Sequence, residues 1–73
     1  RSMLGQADAL VVEVSHLDVH GVGYVDVILA YRDRSTATAR LGSESVPDGL
    51  AAGEQVVARI VANMIVAIER SPT

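Results

Sequence analysis

Seventy-three residues make one small domain, and a chain this short buries only roughly 60% of the surface its unfolded form exposes. No cysteine is present to add a disulfide or a thiolate metal site, so oligomerisation or attachment to a larger protein is the expected support for its core. All six basic residues are Arg, outnumbered by nine acids, and the net charge of -3 repels a polyanion and argues against nucleic acid.

The apolar share is 49%, drawn from Val, Ala, Leu and Ile, with Tyr24 and Tyr31 as the aromatic residues, so the core must be aliphatic. No apolar run approaches the ~18 residues of a membrane span, and the start, Arg1-Ser2-Met3-Leu4, lacks the hydrophobic stretch of a secretion signal. The expectation is a soluble, cytoplasmic domain without direct membrane insertion. Arg1-Ser2 ahead of Met3 reads either as a vector remnant or as the cut end of a longer protein.

Along the chain, residues 10–17 (LVVEVSHL) alternate with a period of two, which sets Leu10, Val12, Val14 and His16 on a mostly apolar face and Val11, Glu13, Ser15 and Leu17 on the other. After Gly21 and Gly23, residues 24–31 (YVDVILAY) resume the alternation with Val25, Val27, Leu29 and Tyr31 on one face. The polar tetrad Arg32-Asp33-Arg34-Ser35 suits a hairpin turn, and residues 36–41 follow as a third strand with Thr36, Thr38 and Arg40 opposed to Ala37, Ala39 and Leu41. Residues 42–53 hold three Gly and Pro47, which excludes a regular strand; Ser43 is placed to cap a single helical turn from Glu44. Gln55–Val61 is the fourth strand, with Val56, Ala58 and Ile60 on one face, and Ala62-Asn63 bends the chain into a fifth strand over residues 64–69. A helix over residues 50–67 is the rival, opposed by Gly53 and by six Val or Ile residues.

The predicted fold is all-β: a closed or nearly closed five-stranded OB-like β-barrel with a short helical turn between strands three and four, because closure removes edges that would otherwise aggregate. One domain spans residues 1–73, with residues 1–8 and 70–73 as tails.

The strand at residues 38–41 (TARL), the turn at residues 50–56 (LAAGEQV) and the alternating ARIVA at residues 58–62, with VVEV at residues 11–14, resemble TOBE and Mop-type domains. These are OB-like modules of ABC-transporter ATPases and of small molybdate-binding proteins. The resemblance implies a non-catalytic binding or regulatory module, either an accessory domain that mediates subunit contact or solute sensing, or a free-standing oligomeric binder of an oxyanion or small molecule. It also implies hydroxyl ligands for the anion at Ser43 and Ser45. Mop-type sites often carry a Lys, which this chain lacks, and their N-terminal motif is echoed only by Ser2 and Gln6; these departures favour the accessory domain. The segment at residues 16–24 (HLDVHGVGY) is similar to the opening of TRAM domains, RNA-binding OB barrels, although those are basic and richer in rings for base stacking.

Several constellations bear on chemistry. His16 and His20 flank Asp18, but zinc needs three or four ligands and no further His or Cys exists, so solvated loop residues are expected and no metal or cofactor is implied. Asp18, Asp26 and Asp33 read as solvated carboxylates, since a barrel this small offers little room for an acid/base pocket; no catalytic residues are assigned. Of Arg32, Arg34, Arg40 and Arg59, the first three form an anion-binding patch, or all are surface charges paired with Asp33, Glu54 or Glu69. Val11, Val57 and Val61, placed on outward faces, predict a second buried surface against another copy or a parent ATPase domain.

Overall fold

Runs of Val, Ile and Leu with period-two spacing form strands because β-branched side chains pack well on a pleated, half-buried surface. In the computed structural model, which describes residues 4–72, these runs give β1 (Leu4–Val19), β2 (Val22–Tyr31), β3 (Thr36–Gly42), β4 (Gln55–Val61) and β5 (Met64–Arg70). Every pairing is antiparallel, and the five strands form one sheet in the order β3-β2-β1-β4-β5. The helical rival over residues 50–67 is replaced by β4, a turn and the start of β5. Among the described residues no helix is long and apolar enough to cross a membrane.

β1 is the spine, pairing with β4 through Leu4 to Leu10 and with β2 from Ala9 to Val19. It begins well inside the segment assigned as an N-terminal tail: Gly5 to Asp8 are paired to β4, and Arg70 closes β5 rather than opening a C-terminal tail. Arg1, Ser2, Met3 and Thr73 lie outside the described residues, and with them the echo at Ser2.

The core lies on the concave side, where Val25, Val27 and Leu29 of β2 meet Leu41 of β3, Val56 and Ala58 of β4 and Ile68 of β5, with Val46 and Leu50 plugging one end from the loop. The faces assigned to β2, β3 and β4 match this burial. That of β1 is inverted at its centre: Val11 is 1% exposed, whereas Leu10 is 42% and Val12 49% exposed. The cause is a bulge. Val11 pairs with Leu29 and Glu13 with Ile28, so Val12 has no partner, and the extra residue shifts the alternation by one. Val14 then returns to the core side. A second bulge does the same in β5, where Ala67 pairs with Arg59 and Ile65 with Ile60, leaving Val66 unpaired and exposed.

Two connections are two-residue turns with positive φ at both positions, His20-Gly21 and Ala62-Asn63, the dihedrals that suit the right-handed twist of a hairpin. The β2–β3 turn puts Arg34 at φ 71, with the Asp33 carboxylate accepting from the Ser35 N–H. The helical turn is a 3-10 turn, Ser43–Ser45, which starts after Gly42 and lacks the Ser43 side-chain cap expected for it.

By their pairings β3 and β5 run in the same direction, and no ladder joins them among the described residues, so the sheet is open along a β3/β5 seam. Of the closed or nearly closed barrel expected, the described residues show the five strands without a β3/β5 ladder to close them.

The bulge assigns opposite costs to neighbouring residues. Val11→Ala should destabilise the domain by about 2 kcal/mol through lost burial and an unfilled cavity. Val12→Ala should change stability by no more than about 0.5 kcal/mol. Urea unfolding of the two variants measures both.

Candidate functional site

Beside the open seam, the β2–β3 and β4–β5 turns come to the same end of the sheet. There the side chains of Tyr31, Ile60 and Asn63 line two adjoining grooves of about 570 and 500 Å³. One runs under Ala7, Asp8 and Arg32; the other passes between Thr38 and Arg40 on β3 and Met64 and Ile65 on β5. Together they form a mouth with largely apolar walls, in which Tyr31, Ala39 and Ile65 are half-buried against the core and Met64, at 67% exposure, stands on the rim. The bulge at Val66 bends β5 beside this opening.

The structure separates the residues proposed to bind an anion. Arg32 is paired to Asp8 at 3.2 Å, across the gap between the β2–β3 turn and β1. Arg40 faces Asp26 on the neighbouring strand and makes a two-pronged contact, Nε donating to Oδ1 at 2.8 Å and Nη2 to Oδ2 at 3.0 Å. Arg34, exposed on the turn, makes no ion pair among the described residues. Ser43 and Ser45 lie at the far end of β3, roughly 20 Å from Arg34 by strand rise. The two hydroxyls and the arginine turn therefore do not converge on one ligand.

The acids named as partners behave unevenly. Glu69 accepts from Arg59 at 3.0 Å, and Glu54 accepts from Arg70 at 2.8 Å, whereas Asp33 bonds Ser35 instead of an arginine. Arg70 also donates to the Asp48 carbonyl at 2.8 Å, and Glu54 accepts from the Ala51 N–H at 2.8 Å, so this pair fastens the long loop to the end of β5.

Of the three proposed outward valines, Val11 is in the core, Val57 is half-buried and Val61 is exposed beside Met64. The placement of Val11 on an outer interface is thus overturned by the β1 bulge. His16 is on β1 and His20 in the following turn, while Asp18 accepts a hydrogen bond from the Gly21 N–H at 2.8 Å. Among the described residues no three His, Cys, Asp or Glu side chains gather as a metal site.

The mouth was not legible as a site in the sequence. Alternation places Tyr31 and Ile60 on inward faces and Asn63 in a bend, but nothing local indicates that two turns distant in sequence meet. Comparison with known protein families, with curated proteins and with solved structures finds no match for this chain.

The electrostatics of the surface favour ionised carboxylates. The Asp26 carboxyl is held below its ordinary value by the hydrogen bond from Arg40, Asp33 by the hydroxyl and N–H of Ser35, and Glu54 by Arg70 and then the Ala51 N–H. Each binds protons more weakly when folded than when unfolded, so the stability they contribute is present above the ordinary carboxylate values of 3.8 and 4.5 and is lost as pH falls through the lower folded values. Carbon-detected carboxyl titration of Arg40→Ala should show the Asp26 pKa rising toward its ordinary value while Glu54 is unchanged. The urea midpoint of the wild-type protein should fall between pH 5 and pH 3, to be followed at constant ionic strength.

Proposed function

We propose that the protein is a non-catalytic binding module, an OB-like barrel left open along one side, whose mouth makes contact with an extended segment of a parent or partner chain. This is the accessory role that the TOBE-like resemblance implies, including that of a domain in an ABC-transporter ATPase. The observation that carries it is the pair of uncovered strand edges, β3 and β5, beside an apolar opening lined by Tyr31, Ile60 and Ile65.

The strand order supports the OB-like reading, since a five-stranded barrel that is only partly closed, with a turn between its third and fourth strands, has the connections found here. Unpaired edges support protein contact, because free N–H and C=O groups accept an added strand while apolar recesses select alternate side chains. β3 and β5 run in the same direction, so one antiparallel segment is suited to either edge.

A small solute is the alternative, and grooves of about 570 and 500 Å³ are within the range that small-molecule sites occupy. Oxyanion binding has less support, because Ser43 and Ser45 stand apart from the arginines.

Selection of random extended heptapeptides on the immobilised domain tests the reading. Enriched peptides should alternate apolar and polar residues, perturb the amides of Thr38, Ala39, Met64 and Ile65 in nitrogen–proton spectra, and lose binding to Ala37→Gln, which sets a polar side chain in the mouth. No enrichment, or perturbation confined to other strands, would refute it. Parallel titrations with molybdate, sulfate and phosphate should leave the Ser43 and Ser45 amides unmoved.

A further inference from the structure

The outer half of β1 leaves a further strand edge uncovered. Pairing of β1 with β4 ends at Leu10, and the last backbone bonds on that side are Val11 N–H to the Glu54 carbonyl and Gly53 N–H to the Val11 carbonyl, each 2.9 Å or shorter. From Val12 to Val19 the strand pairs with β2 alone, and among the described residues neither another strand nor the 3-10 turn packs along its other side. This edge contains no Pro and no Lys, the residues that commonly protect an exposed strand.

The hairpin turn determines which backbone groups face outward. With His20 and Gly21 both at positive φ, the flanking pair Val19–Val22 exchanges both of its backbone hydrogen bonds, and bonded and non-bonded pairs then alternate along the arm. Leu17–Tyr24 is bonded, whereas Asp18–Gly23, His16–Val25 and Val14–Val27 are not. The N–H and C=O groups of Val14, His16 and Asp18 therefore point away from β2, toward the open edge.

We propose that this edge docks a second copy of the chain, by antiparallel pairing of β1 with β1 about a two-fold axis through Leu17. In that register His16 stands directly opposite Asp18 of the second copy, and Asp18 opposite its His16, and these are the residues whose backbone groups are free. An imidazole N–H donates to a carboxylate twice by symmetry. Asp18 spends one oxygen on the Gly21 N–H and keeps the other for this contact. Leu17 meets Leu17 in the close, non-bonded pair, with Tyr24 beside it on the same face. Val19 and Val22, which are 39% and 51% exposed, extend that apolar face to the tip of the arm. Moving the axis to His16 sets the two imidazoles against each other and Val14 against Asp18 and loses both imidazole–carboxylate hydrogen bonds, so side-chain pairing selects the Leu17 register.

The reciprocal His16–Asp18 pairing chooses a second copy as the occupant. The mouth between β3 and β5 plays no part in this contact, so its failure and the failure of the proposed function are separable.

Sedimentation velocity of the wild-type protein at concentrations up to about 1 mM should show a reversible dimer. His16→Pro removes an N–H that bonds nothing within one copy, so it should leave the circular-dichroism spectrum intact and abolish the dimer. His16→Asp, an exposed substitution that keeps the backbone unchanged, should weaken the dimer about tenfold by opposing two carboxylates. A wild-type protein that stays monomeric throughout overturns the proposal. So does a dimer that persists unweakened in either folded variant, or one lost in Ala37→Gln, which would assign the contact to the mouth.

Discussion

One extra residue in β1 governs the arrangement of this protein. Val11 sits where the strand changes partners, bonded through its backbone to Glu54 and Gly53 on one side and paired with Leu29 on the other. Val12, the unpaired residue of the bulge, bends the strand there, so the first half of β1 serves β4 and the second half serves β2. The sheet curls about that point, which allows Val25, Val27 and Leu29 to meet Val56 and Ile68 over an aliphatic core without a single large ring.

The surface contributes order rather than bulk stability. Four ion pairs between described residues are all substantially exposed, and such pairs are screened by solvent and by salt. Their placement matters more than their strength. Asp26–Arg40 joins β2 to β3, Arg59–Glu69 joins β4 to β5, and Arg70 with Glu54 holds the loop that carries Val46 and Leu50 into the core. No polar side chain is buried among the described residues, so burial of aliphatic groups bears the folding free energy.

Uncovered backbone is the common thread of the proposed contact surfaces. A five-stranded sheet that curls without closing leaves β3 and β5 with free edges, and a spine strand longer than its first partner leaves a third free edge on the β1 arm. Water satisfies these groups in the isolated chain. An added strand satisfies them as well and removes exposed apolar side chains from water at the same time, which is why strand edges flanked by Leu, Val or Met are suited to contact between chains.

Much of the architecture was legible in the residues themselves. Alternation in β2, β3 and β4 located their cores, the bounds of β4 follow from Gly53 and the Ala62-Asn63 bend, and the all-β class follows from clustered Val and Ile between turn formers. These features depend on neighbours within a few residues. The face of β1, the unpaired Val66, the extension of β1 back to Leu4, the open seam and the meeting of Tyr31 with Ile60 and Asn63 do not. A bulge is recognised only by counting residues against the opposite strand, and a mouth exists only where turns far apart in sequence come together. The chain's own order determined which segments extend and which bend; the partner strands decided which side of β1 faces the core, and how much of each edge was left uncovered.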